Sequence, residues 1–98
     1  MVAKAVLSRK DGFLYIDGKK VLKGWTSHRN WFWFGIEIDH KQDHTIRGED
    51  RKDDPIWFGY VQGFQDGWGQ FSQGEIESLE PLTWEIPPHE LPFAGRRD

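Results

Sequence analysis

The chain has 98 residues, 37% hydrophobic and 30% charged, with a formal net charge of −3. That balance excludes a disordered tract and is sized for one core. Cys is absent, which excludes disulfides and thiolate metal sites and leaves no requirement for an oxidising compartment.

The first strand is expected over residues 2–7, the second over 13–16 and the third over 21–25, a three-stranded meander. Asp17-Gly18 supplies the two positive φ angles of a type I′ hairpin turn, and Lys10-Asp11-Gly12 supplies a glycine for a slightly longer one. After Trp25 the polar run 26–30 reads as a loop.

Residues 31–38 and 56–64 echo each other, each carrying Trp-Phe-Gly inside an apolar run, and read as the fourth and fifth strands. Alternation sorts their faces. Phe32, Phe34, Ile36, Ile38, Ile56, Phe58, Tyr60 and Phe64 form an apolar face directed to the main core. The opposite face interleaves Trp31, Trp33 and Trp57 with Gly35, Gly59 and Gly63, so flat indoles stand beside hollows that another element or a ligand fills. The charged connection 39–55 reads as a long loop.

Residues 65–70 are turn-rich, and Ser72 with Glu75 forms a capping box that starts a short helix at Gln73. Ile76 and Leu79 lie three apart and face the sheet, Glu75, Glu77 and Glu80 face water, and Pro81 stops extension. Residues 82–86 add an edge strand carrying Trp84, closed by Pro87-Pro88. The expected fold is therefore α+β, mainly an antiparallel sheet of about five strands with one short helix. Residues 1–93 form a single domain and 94–98 a flexible tail.

Six Trp and seven Phe place the core energetics on aromatic side chains, each burying on the order of 150–250 Å². Charge is asymmetric. Up to Asn30, seven Lys or Arg stand against two Asp, a balance of +5; the remainder has six against fourteen, a balance of −8. This reads as complementarity between a basic hairpin and an acidic body, since the overall acidity opposes a phosphate partner. Residues 1–7 are interrupted by Lys4 and too short for a signal h-region, and no stretch approaches the ~20 apolar residues of a membrane span. A cytoplasmic protein without membrane contact is expected.

Four constellations carry chemistry. His40, Asp43 and His44 have metal-ligand flavour, because two His four apart converge on a helix, but they fall in the charged connection. Glu37 and Asp39 share strand parity with the Trp face, the layout of a sugar-processing carboxylate pair, although a solvated pair at the strand end is the leading reading. Lys10, Lys19, Lys20, Lys23 and Arg29, with Arg9, sit near Phe13, Tyr15 and Trp25 and suit single-stranded nucleic acid, although such lysines also guard edge strands. Trp31, Trp33, Trp57 and Trp68 are the candidate recognition surface, provided that the helix or Trp84 and the tail aromatic Phe93 do not cover them. Ser27-His28 lacks a third, orienting group.

The aromatic strand ending in Glu37 and Asp39, the run Phe58-Gly59-Tyr60-Val61, and Trp68-Gly69-Gln70-Phe71-Ser72 followed by Glu75-Ile76-Glu77 carry a resemblance. Residues 33–79 resemble a family of small bacterial domains of unknown function met on plasmids and phages. Gly67 stands where that family commonly has Glu, and residues 1–30 have no counterpart in it. The resemblance implies an architecture and a mobile-element setting, and it transfers no catalytic residue.

No acid, base, nucleophile and oxyanion set converges in the sequence. A non-catalytic protein-interaction or regulatory module, with no cofactor and an unidentified protein partner, is the leading reading. Nucleic-acid or carbohydrate binding through the aromatic face follows, and metal-assisted hydrolysis comes last. The sequence leaves the oligomeric state open.

Overall fold

The structure is a computed structural model that describes residues 5–90. Antiparallel strands dominate it, in one sheet of three strands and another of five, with one short helix. The first sheet comprises β1 (Leu7–Lys10), β2 (Phe13–Ile16) and β3 (Lys19–Lys20). The second has the order β7-β6-β5-β4-β8, from β4 (Lys23–Ser27), β5 (Phe32–Ile46), β6 (Glu49–Gln62), β7 (Asp66–Ser72) and β8 (Thr83–Ile86). The helix α1 (Gln73–Glu77) lies between β7 and β8, and a 3₁₀ turn, Pro88–Glu90, follows β8.

The expected Asp17-Gly18 turn is present, with φ of 51° and 78°. Lys10 pairs directly with Phe13, so Asp11-Gly12 is a second two-residue turn rather than a longer one. That tight turn carries pairing back through Lys10, which places the first strand at Leu7–Lys10 instead of residues 2–7. Residues 2–4 of the expected strand, Phe93 and the tail 94–98 lie outside the described residues.

The expected third strand is divided between two sheets. Lys19 and Lys20 pair with β2, and the Val21 amide donates to the Leu14 carbonyl at 3.0 Å. One residue later the Leu22 amide donates to Gly35 at 2.8 Å, so the chain changes sheets between Val21 and Leu22. Val21 is wholly buried there with Leu14, Ile16, Phe34 and Tyr60, and this cluster joins the sheets. In β2 the alternation is strict, with Leu14 and Ile16 inward and Phe13 and Tyr15 half-buried.

The expected loop over 39–55 does not exist. β5 and β6 continue through it as a hairpin closed by Arg47-Gly48, with φ of 52° and 81°. Beyond the reach of β4 and β7 this hairpin is a two-stranded arm. Its residues are largely exposed, which removes the half-buried apolar alternation that reveals a strand in sequence. Register shifts between Gly35 and Glu37, Ile38 and His40, and Gln42 and His44 bend it. Its end lies against the helix: Thr45, Ile46 and Arg47 share a cleft with Glu75, Ser78 and Leu79, and Arg51 forms an ion pair with Glu77 at 3.3 Å.

These shifts also correct the sorting of faces. Phe34 still opposes Tyr60, and Trp33 opposes Val61, but past the first bulge Ile38 opposes Trp57 and Glu37 opposes Phe58. Ile38 therefore leaves the core face and is 45% exposed. Phe64, beyond the end of β6, is 92% exposed rather than in the core.

Helix α1 covers half of the Trp face. Ser72 accepts the Glu75 amide at 3.0 Å, the expected cap, and Ile76 docks on Trp25 and Trp57 with Trp33 and Phe71 around them. A helix of five residues has no stability alone, so this docking and its polar ties maintain it. The Trp57 indole donates to Gln73 at 2.9 Å, and the Thr83 hydroxyl donates to the Ile76 carbonyl at 2.6 Å. Asp54, 4% exposed, accepts the Gly74 amide at 2.7 Å and the Ser72 hydroxyl, and contacts His44 Nε2 at 2.6 Å.

Candidate functional site: an aromatic groove

The hollows of the Trp and Gly face are filled from within the chain. A Cβ on Gly35 would lie 2.6 Å from the Trp57 ring, and one on Gly63 would lie 2.5 Å from the Trp31 ring. Each indole thus rests on a glycine, and the echoed segments lock together through these ring-on-backbone contacts.

Helix α1 reaches only part of this face. Trp57 is 5% exposed beneath Ile76 and drops out as a recognition residue. Trp68 opposes Tyr60 and therefore lies on the other face, where it stacks on Phe58 at 5.5 Å between centroids. Lys19 of the small sheet sits 5.6 Å from the Trp68 ring. Of the four indoles expected to form one surface, Trp31 and Trp33 stay together.

These two rings line a groove of about 470 Å³ with Phe64, Leu79 and Leu82 as its apolar walls. Ser27, His28, Arg29 and Thr83 complete the lining. Trp31 and Trp33 are tilted 33° to one another at 5.9 Å, and Phe64 meets Trp31 edge-on at 5.3 Å. Phe64 and Leu82 are exposed, so the groove opens to solvent as an apolar patch.

The polar rim is built by the β4–β5 turn. Asn30 takes a left-handed φ of 64°, a conformation Asn tolerates better than most residues. Ser27 Oγ accepts the Arg29 and Trp31 amides, each at 3.3 Å, and the Thr26 hydroxyl donates to the Trp31 carbonyl at 2.9 Å. The His28 amide donates to Leu82 at 2.9 Å, tying the turn to the connection before β8. Ser27 Oγ thus organises the turn, and His28 Nδ1 lies 3.4 Å from the Leu82 carbonyl, so these neighbours engage separate backbone partners.

The other sequence candidates are dispersed. His40 contacts Asp39 at 2.6 Å and Gln42 at 2.9 Å, whereas His44 contacts Asp54 and Asp43 accepts the Asp53 amide. They lie on a bulged strand rather than a helix, so the four-residue spacing does not bring the imidazoles together. Among the described residues no group of three or more His, Cys, Asp or Glu is placed to hold a metal ion. The Asp39 hydrogen bond, followed by that of Gln42, raises the His40 pKa above its ordinary 6.5. Burial pushes the Asp54 carboxyl up, but hydrogen bonds from Ser72, His44 and the Gly74 amide, together with the charge on His44, hold it below the ordinary value.

The carboxylate pair leaves the Trp face. Glu37 opposes Phe58 across the bulge, and Asp39 accepts from Gln70 at 2.9 Å on that same side. The basic residues divide between the sheets. Lys10, Lys19 and Lys20 belong to the small sheet, with Lys20 positioned 4.0 Å from the Phe13 ring. Lys23 pairs with Glu85 at 3.6 Å beside buried Trp25, and Arg29 stands at the groove.

Alternation directs Phe64 to the core, helical spacing directs Leu79 to the sheet, and Leu82 opens an expected edge strand, so the sequence does not reveal the groove that these three wall. The turn-forming run that follows Phe64 was the available signal, since a strand-end aromatic beside a turn has no neighbouring strand to cover it. No family model, curated protein or solved structure matches this chain. Among the described residues no helix is long and apolar enough to cross a membrane.

Proposed function

We propose that the protein is a non-catalytic recognition module that accepts an apolar side chain of a protein partner in the Trp31–Trp33–Phe64 groove. The carrying observation is the exposure of Phe64, 92%, in edge-on contact with Trp31, which in turn meets Trp33. An exposed aromatic cluster beside a hydrogen-bonded turn offers substantial apolar area with little ordering cost on binding. Concentrated Trp and Phe contacts of this kind dominate affinity where they are central and desolvated.

The groove residues include no paired acid and base, and the Ser27 hydroxyl is engaged by two amides. A glycan reading has flat indoles but lacks carboxylates beside them, because Glu37 and Asp39 lie across the sheet. Among the described residues a nucleic-acid reading has one Arg at the indoles, with Lys10, Lys19, Lys20 and Lys23 elsewhere. The resemblance of residues 33–79 to plasmid- and phage-borne domains carries no catalytic residue and is compatible with a recognition role.

The test is a titration of isotope-labelled protein with a panel of short synthetic peptides that each present one Leu, Phe or Trp in a Gly and Ser background. Binding shifts the indole N–H resonances of Trp31 and Trp33 while that of Trp57 stays in place. Phe64→Ala weakens binding about tenfold. Unmoved Trp31 and Trp33 resonances throughout the panel would refute the proposal.

A further inference from the structure

We infer that the groove selects a partner segment whose apolar side chain is flanked by a carboxylate, and that Arg29 reads this charge. This rests on the groove being a protein-recognition site. The chain carries 16 Asp and Glu against 13 Lys and Arg, yet among the described residues no acidic one lines the groove. Arg29 and His28 are the ionisable groups there.

Arg29 is the basic residue at the groove indoles, whereas Lys19 and Lys20 lie over Trp68 and Phe13 of other surfaces. Lys23 is paired with Glu85 and Arg51 with Glu77, whereas Arg29 forms no ion pair among the described residues. It is exposed on a turn held by Ser27 Oγ, by the Asn30 amide to the Ser27 carbonyl at 2.9 Å, and by His28 to Leu82. Its backbone is therefore fixed while its guanidinium is available. Arginine also has the geometry for this role: its stem covers apolar surface and its planar head donates two parallel N–H bonds to a carboxylate.

Arg29 is exposed at the rim, so a carboxylate there is attracted through solvent and the preference is salt-sensitive. The same guanidinium repels a segment carrying Lys at that place, which gives discrimination as well as attraction. Arg29 is thus a specificity-determining residue, and the indoles and Phe64 supply the sequence-independent part of binding.

The experiment compares three peptides that differ only beside the apolar residue, with Glu, Gln or Lys there, on the full chain and on Arg29→Gln and Arg29→Glu. The Glu peptide should bind about tenfold more tightly than the Lys peptide, with a preference that shrinks at high ionic strength. Arg29→Gln should bring the three together and Arg29→Glu should reverse their order. Both variants keep the backbone amide that Ser27 binds, and the unchanged Trp57 indole resonance reports their folding. Equal affinities for all three peptides, with Trp31 and Trp33 still shifting, would overturn the role of Arg29 and leave the recognition reading standing. No shift with any peptide would overturn both. Phenylacetate binding that depends on Arg29, without peptide binding, would assign the groove to small carboxylates instead.

Discussion

Asp54 accepts the backbone amide of Gly74 at 2.7 Å, joining the arm's base to the first turn of the helix. The bond is close to the steric limit. A Cβ on Gly74 would come within 2.9 Å of the Asp54 carboxylate, and that carboxylate is also held by Ser72 and His44. The approach requires a residue without a side chain. The position of α1, and with it the cover over Trp25 and Trp57, depends on this pair.

Asp54→Asn keeps the shape and removes the charge. Hydrogen bonds to a charged acceptor are worth about 1.5–3 kcal/mol, and the substitution also turns an amide N–H toward the donors. The expected loss is about 2–3 kcal/mol in urea denaturation, with an unchanged slope. A loss below about 0.5 kcal/mol, the size of an ordinary surface change, would show that the carboxylate does not secure the helix.

Acid sensitivity follows from the same group. The folded Asp54 pKa lies below the ordinary 3.8, so its contribution is fully present above that value and is lost as pH falls through the folded pKa. Denaturation midpoints of the native chain should therefore drop below pH 3.8 more steeply than those of Asp54→Asn. Equal slopes for the two proteins would contradict the assignment.

His40 has the opposite sign. Its pKa is raised above 6.5 by Asp39 and then Gln42, so the favourable contact is complete below that pH and fades as pH rises through the folded pKa. An imidazole titration followed by NMR should move toward lower pH in Asp39→Asn. Because the pair is exposed, a stability change need not accompany it.

Two glycine substitutions separate a buried ring from a half-buried one. Gly35→Ala drives a methyl into the Trp57 ring, which is buried and tied to Gln73, at an expected cost of about 1–3 kcal/mol. Gly63→Ala meets Trp31, which is half-buried at the open groove and has no helix over it. Its cost should be smaller, and it should disturb peptide binding instead. Thermal unfolding of both variants measures the contrast.

Trp25→Ala should cost about 3–5 kcal/mol, since Trp25 is 2% exposed in contact with Trp57 and Phe71. Trp84→Ala, on the exposed edge strand, should cost much less. Similar losses at the two sites would mean that burial of the indoles does not set stability.

The features legible in the residues alone are local. Asp17-Gly18 makes a tight turn because both residues accept positive φ, Ser72 caps α1 because its hydroxyl reaches the Glu75 amide, and Phe34 and Tyr60 share the core face through the two-residue period. The tertiary structure alone decided what depends on distant pairing. It moved the chain between sheets at Val21 and Leu22, extended the charged connection into an arm, and reversed the face of Ile38 through a bulge. It also buried Trp57 under Ile76 while leaving Trp31, Trp33 and Phe64 around an open groove. Turn dihedrals and caps are set within a few residues by sterics and hydrogen bonding. Register across a sheet and the reach of a short helix are set by partners remote in the chain, and a one-residue shift reverses which side chain meets the core.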